Sequence, residues 1–268
     1  MRSGDEEVLA HLLSRLPPGA RPCQVDRPDV SYRVGRIDHD TSGRGSLVVS
    51  LRHGAERERH EVAGVTDARA VAALIGDDME FRVALHSPRR LFVHAAAVAW
   101  GGHVIALPAR TCAGKSTLAV ELVRAGATYY SDEFAVLDED GLIHPFTRPL
   151  HLRGRDGAPP RDIHPEELGG TAGSEALPLG LVVQTTYRAG ARWRPHPMSP
   201  GEVALALFAN TVIARRRPAH AATLIARAVG RGAAGVHGPR GEAAELAGEL
   251  LDLVERAPRS TLDAQLVR

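Results

Sequence analysis

Lysine is nearly absent from this chain. Of the 33 basic residues in 268, all but one are arginine, and the single lysine is Lys115. Such an excess of arginine reflects coding bias and is no evidence for a nucleic-acid partner. Net charge is also missing: 33 cations against 32 anions give +1, which exerts no bulk pull toward nucleic acid or acidic membranes. Cysteine is scarce, and Cys23 and Cys112 cannot build a disulfide framework. No apolar run approaches the roughly 20 residues that cross a bilayer. The opening MRSGDEEVLAHLL is acidic and lacks the apolar stretch of a secretory signal. A cytoplasmic protein with no membrane and no nucleic-acid partner is the expectation. Hydrophobic content of 44% with 24% charge belongs to globular chains, and the length supports one large domain or two small ones.

The pattern along the chain changes near residue 85. Residues 5–16 (DEEVLAHLLSRL) space their leucines as one face of a helix, which stops at Pro17-Pro18-Gly19. VSYRVGRI (30–37) and SLVVSLRH (46–53) read as strands of a hairpin-like unit, and Asp67 as the cap of a helix through ARAVAALIG. Residues 1–85 therefore read as a small α+β lobe, and 86–268 as the catalytic domain. In the latter, LFVHAAAVAW (91–100) and HVIALP (103–108) flank Gly101-Gly102, the residue type that accepts the positive φ of a tight hairpin turn. TLAVELVRAG (117–126) reads as a helix ending at Gly126, ATYY (127–130) as a strand, and 134–146 as a further hairpin. Residues 154–180 are rich in Gly, Pro and charge and read as a long loop. A strand over 181–190 and helices over 201–213, 220–230 and 241–257 complete the chain.

The strongest motif is ARTCAGKS, positions 109–116, between a strand and a helix. It matches the P-loop (Walker A) pattern G-x-x-x-x-G-K-[ST] except that Ala109 replaces the first glycine. Such a loop aims backbone N–H groups at phosphate oxygens beside a helix N-terminus, so Ala109, Arg110, Thr111, Cys112, Ala113 and Gly114 would cradle the phosphates. Lys115 would reach the β- and γ-phosphates, and the hydroxyl of Ser116, followed by Thr117, would ligate Mg²⁺. ATP and Mg²⁺ are the expected cofactors.

Asp132-Glu133 is the second signal. One helix and one short strand separate it from Lys115, and a β–α–β unit returns its second strand parallel to the first. Two carboxylates then arrive at the same sheet edge as the phosphates. One can orient the metal, the other can accept the proton of an attacking hydroxyl. Asp132, Glu133 and Ser116 are thus the candidate metal ligands. A gap of only 17 residues from Lys115 to Asp132 suits a phosphotransferase better than a motor or transporter ATPase.

Other polar groups invite a bland interpretation. Asp38-His39-Asp40 and Asp138-Glu139-Asp140 read as solvated turns. Arg215-Arg216-Arg217 reads as the C-terminal end of a helix, where cations suit the dipole. Arg192-Trp193-Arg194 reads as surface packing.

The order His94-Ala95, Gly-Gly hairpin, P-loop, Glu121-Leu122-Val123-x-x-Gly126, Ser131-Asp132-Glu133 resembles the C-terminal catalytic domain of HPr kinase/phosphorylase, a bacterial serine kinase, over about residues 91–153. It is most similar to HPr-kinase-like proteins found beside genes for modified peptides, including lasso-peptide precursors. The resemblance implies an α/β fold, a P-loop core of mixed sheet and flanking helices, with the small N-terminal lobe beside it. It implies Asp132 as general base, Glu133 near metal and phosphate, His94 on the strand flanking the site, and Arg153 as a phosphate contact. Ala109 and Cys112 depart from two loop glycines of the family. His151 and Leu152 stand where it carries a metal-binding glutamate. The family forms hexamers, so a homo-oligomer is expected. The family's long N-terminal regulatory domain is missing, which argues against HPr itself as the substrate.

The expected function is transfer of the ATP γ-phosphoryl group to a hydroxyl, a Ser or Thr of a peptide or small protein such as a modified-peptide precursor. Three alternatives stay open on the residues alone: a kinase for a small-metabolite hydroxyl, a nucleotide-dependent switch or ATPase without an acceptor, and a degenerate binding module, which Ala109 in the loop would suit.

Overall fold

A computed structural model describes residues 6–21, 30–37, 46–53, 56–62, 67–109, 114–152 and 161–256. Backbone contacts divide the chain into two units, Met1–Val83 and Ala84–Arg268. No helix is long and apolar enough to cross a membrane among the described residues.

The first unit contains helix α1 (Glu6–Leu13), strands β1 (Val30–Ile37), β2 (Ser46–His53) and β3 (Glu56–Val62), and helix α2, which starts at Ala68 and runs on to His86. β1, β2 and β3 form an antiparallel sheet, with Val30 opposite His53 and Ile37 opposite Ser46 as the hairpin reading requires. β3 escapes sequence reading because ERERHEV has no apolar alternation. Asp67 caps α2 as expected: its Oδ1 accepts from the Arg69 amide at 2.9 Å. Val8, Leu12, Val34, Val71, Ala72 and Ile75 make this unit's own core.

The second unit starts with β4 (Leu91–Trp100) and β5 (His103–Pro108), an antiparallel hairpin. Gly101 and Gly102 take φ of 56° and 77°, the two positive values a two-residue turn of this kind needs. After α3 (Lys115–Arg124) come β6 (Thr128–Ser131), β7 (Phe134–Leu137) and β8 (Leu142–His144). β9 (Leu150–Leu152), β10 (Arg161–Ile163), a 3₁₀ turn (Pro165–Leu168) and β11 (Leu177–Tyr187) follow. Last are β12 (His196–Met198), α4 (Pro200–Ala209), α5 (Pro218–Gly230), β13 (Ala234–Arg240) and α6 (Ala243–Arg256).

The main sheet runs β12-β13-β11-β5-β4-β7-β8, with β6 paired to β4. β5, β11 and β13 are mutually parallel, while β4 is antiparallel to β5, β6 and β7. This is a mixed sheet with helices on both faces. The double burial explains the unbroken apolar run of β4. Leu91, Val93, Ala95 and Ala97 face Val203 and Leu207 of α4 and Leu224 and Ile225 of α5. Ala96 and Val98 face Leu118 and Leu122 of α3 and Leu246 and Leu250 of α6. A strand buried on both sides has no reason to alternate with polar residues. Burying each of these leucines contributes about 1.5–3 kcal/mol.

Three expectations change. The stretch 154–180 is not one long loop: residues 154–160 lie outside the described residues, but 161–180 hold β10, the 3₁₀ turn and the start of β11. Its middle is tied to β6, because the Tyr129 amide donates to the Thr171 carbonyl and the Gly173 amide to the Tyr129 carbonyl. Arg215–Arg217 do not end a helix. α4 stops at Ala209, where Asn210 follows and Thr211 pairs with Val93 of β4, and the three arginines precede the N-terminus of α5. Asp138 is no solvated turn residue, because its carboxylate accepts from the Asp140 and Leu142 amides and holds the β7–β8 turn closed. Asp38–Asp40 lie outside the described residues.

Candidate functional site

The topology brings the chemistry to one edge of the sheet. β5 ends at Pro108 and α3 begins at Lys115, with Gly114 in the left-handed region at φ 80°. β6 is antiparallel to β4, which is antiparallel to β5, so β6 runs parallel to β5 with β4 between them. The expected β–α–β return is present, although the two parallel strands are not neighbours. Because Ala95 of β4 lies opposite Pro108, the preceding His94 falls at the same edge. Ligand sites in sheets of this kind form at the carboxyl ends of the parallel strands. Arg110–Ala113 and Arg153 lie outside the described residues.

Lys115 is 8% exposed, and its ammonium donates to the Ala109 carbonyl at 2.9 Å. Nζ is also 3.4 Å from His94 Nε2, and that same nitrogen is 3.1 Å from Glu133 Oε1. Lys115, His94 and Glu133 are thus one cluster, linked across β4 and the residue pair after β6. A single ring nitrogen serves one of these neighbours at a time, as donor to Glu133 or acceptor from Lys115. Burial pushes the Glu133 carboxyl up, but the hydrogen bond from His94 and the charges of His94, Lys115 and Arg148 outweigh it and hold the group below the usual range.

Asp132 differs from its neighbour in every respect. It is 6% exposed, and both of its oxygens are engaged: Oδ1 accepts from the Tyr129 hydroxyl at 2.9 Å, and Oδ2 from the His151 amide at 3.1 Å. Burial dominates and raises its pKa, against the lowering effect of those two donors and of Arg148. Two adjacent carboxylates therefore titrate in opposite directions, the separation that lets such a pair divide proton transfer from charge binding. Their turn is held by Ser131, whose hydroxyl accepts from the amides of Glu133 at 3.1 Å and Phe134 at 2.9 Å. Ser116 and Thr117 follow Lys115 in the first turn of α3.

Among the described residues no group of three or more His, Cys, Asp or Glu side chains is arranged as a metal cage. Mg²⁺ on a nucleotide asks for less: one or two protein oxygens, the rest from phosphate and water. The hard oxygens of Ser116 and Glu133, the latter the more open carboxylate and held below its usual range, fit that demand.

Four contributors escape sequence reasoning. Tyr129 gave no signal beyond a strand position, yet it is fully buried with its hydroxyl on Asp132. Arg148 acts electrostatically on both carboxylates from the segment after β8. β9 supplies a backbone amide, which no side-chain pattern reveals. Arg240 ends β13, a strand whose sequence AGVHGPR carries no periodicity. Its Nη2 donates to the Gly114 carbonyl at 3.2 Å. Glycine is favoured at 114 by its φ of 80°, and a Cβ there would stand 2.5 Å from that nitrogen and push the guanidinium tip aside.

Tyr129→Phe tests the support of Asp132 directly. It strips Oδ1 of its donor in a buried setting, so unfolding free energy is expected to fall by about 1–3 kcal/mol. The Asp132 pKa moves higher still, because the lost hydrogen bond favoured the ionised form. Denaturant melts and a carboxyl titration followed by infrared spectroscopy check both.

No family model and no curated protein matches this chain by sequence. Among solved structures it is similar to the HPr(Ser) kinase/phosphatase from Coxiella burnetii, at 14% identity over 60% of this chain and 93% of that one, with a TM-score of 0.36. A likeness that weak carries no functional weight, and the chemistry rests on the residues themselves.

Proposed function

We propose that the chain is an ATP- and Mg²⁺-dependent phosphotransferase that moves the γ-phosphoryl group to a hydroxyl, that of a Ser or Thr in a peptide or small protein. One juxtaposition carries the reading. The chain's single lysine, at the start of a glycine-capped helix, shares a sheet edge with a buried, high-pKa aspartate and an open, low-pKa glutamate.

The roles follow from those environments. The N-terminus of α3 and Lys115 bind the phosphate chain. Ser116 and Glu133 would hold Mg²⁺, which neutralises phosphate charge when bound. Asp132 takes the proton of the acceptor hydroxyl. The freed oxygen attacks the γ-phosphorus, the bond to the β–γ bridging oxygen breaks, and ADP leaves. Burial suits Asp132 to this, since a carboxylate with a raised pKa is a stronger base. Tyr129 and the His151 amide keep it in place. His94 orients Glu133.

Incubating the full chain with [γ-³²P]ATP, Mg²⁺ and a mixture of cell peptides tests the proposal. Label on a peptide Ser or Thr is the expected result. Label on a small metabolite would move the acceptor to that class, and label released only as free phosphate would replace the kinase by a switch-type ATPase.

A further inference from the structure

Arg240 is a buried cation, 3% exposed, that forms no ion pair among the described residues. Its Nη1 donates to the Gly241 carbonyl at 3.0 Å and its Nη2 to the Gly114 carbonyl, while its Nε has no partner. The guanidinium carbon lies 5.6 Å from the centre of the Tyr187 ring. Glu242, whose charge reaches Arg240 without an ion pair, is exposed and accepts from the Tyr187 hydroxyl at 2.8 Å. Burial works against the charged form of Arg240 and outweighs the opposing charge of Glu242. A fully charged fork taken out of water and given only neutral carbonyls is expensive, and proteins tolerate it where an anion completes the charge.

The place where it stands narrows that anion. β13 and β11 are parallel, and Arg240 is level with Tyr187, at the carboxyl end of the sheet. The guanidinium touches the residue that caps α3, a ten-residue helix with no side-chain cap on its N-terminal amides. Three electropositive features therefore converge at Gly114: the N-terminus of the helix dipole, the Lys115 ammonium one residue on, and Arg240 arriving from a strand 126 residues away.

We propose that Arg240 is a second cationic ligand for the phosphate chain of a nucleoside di- or triphosphate bound at Gly114–Lys115. The inference rests on the nucleotide-binding part of the function proposed above. It adds a contact from β13 that binds rather than reacts. Arginine suits it because its planar fork can hold the loop carbonyl with one nitrogen and offer others to phosphate.

The test is calorimetric titration of the full chain with ADP, ATP and inorganic tripolyphosphate, on wild type, Arg240→Met and Arg240→Lys, with thermal melts in the absence of ligand. Methionine keeps the stem and removes the unpaired charge. Arg240→Met is expected to melt at or above the wild-type temperature when ligand-free, and to bind all three compounds about 10- to 100-fold more weakly. Arg240→Lys is expected to recover part of that affinity. A methionine variant that melts lower, or fails to fold, would make Arg240 a structural latch on Gly114 and overturn the proposal. Unchanged affinity in a folded variant would overturn it too. Wild-type protein that binds none of the three compounds would sink the nucleotide reading itself, a result distinct from wild-type binding that Arg240→Met leaves untouched.

Discussion

Asp132→Asn is expected to lower phosphoryl transfer by about 10²- to 10⁴-fold while ATP affinity stays close to wild type. Asparagine is nearly isosteric and can keep both local contacts. Its oxygen accepts from the His151 amide, and its NH₂ donates to the Tyr129 hydroxyl, which turns from donor to acceptor. What it cannot do is take a proton. Rapid-quench measurement of labelled acceptor, beside calorimetric ATP titration, separates the two effects, and a matching loss of ATP binding would count against the general-base role. The pH dependence has a fixed sign. Transfer depends on ionised Asp132, so activity rises with pH through a limb set above the ordinary carboxylate range, because burial raises this group. Stability runs the other way. A group with a raised folded-state pKa contributes its stability below the unfolded value and loses it as pH climbs through the folded one. Asp132→Asn is therefore expected to melt no lower than wild type at pH 7, with any advantage shrinking toward acid.

Lys115→Ala is expected to weaken ATP binding by about 10- to 100-fold and to take transfer below detection. The ammonium is nearly buried, between the Ala109 carbonyl and His94, so a change of residue type is felt at once. Arginine is not a rescue. Its planar fork is wider than the compact ammonium that this position encloses. An acyl-phosphate ATP probe checks the same point by mass spectrometry. Lys115 is the only side-chain amine in the chain, so it is the only lysine that can carry the label. A protein that binds ATP, yet whose lysine resists the probe, would remove Lys115 from the phosphate site.

What could be read along the chain was what local chemistry decides. Gly101-Gly102 makes a turn because both positions need positive φ. ARTCAGKS sits between a strand and a helix because the apolar pattern changes period there. The return to the same sheet edge at Asp132 follows from one β–α–β crossover, which brings the next strand back parallel to the first. Those features lead the sequence alone to expect Lys115, Asp132 and Glu133 on one sheet edge. His94 on its own reads as a core residue of β4, and only the family resemblance pointed to it. The roles of Arg110–Ala113 and Arg153 stay at the level of sequence, since those residues lie outside the described ones.

The tertiary structure alone decided how the neighbours differ. Asp132 and Glu133 are adjacent in sequence, but only packing buries one against Tyr129 and β9 and leaves the other beside His94 and Lys115. Solvation is a property of the surroundings, so no pattern within the chain could assign their opposite pKa shifts. Arg240 is the extreme case. One arginine among 32 has no distinguishing neighbours in sequence, and β13 lacks the periodicity that would have marked it as a strand. Its contact with Gly114 spans 126 residues and exists because β11 lies between β5 and β13 in the sheet. Motif and turn chemistry determined where the proposed phosphate site lies. Long-range strand order, through the water it excludes, determined which charges there are paired within the chain and which are buried without an ion pair.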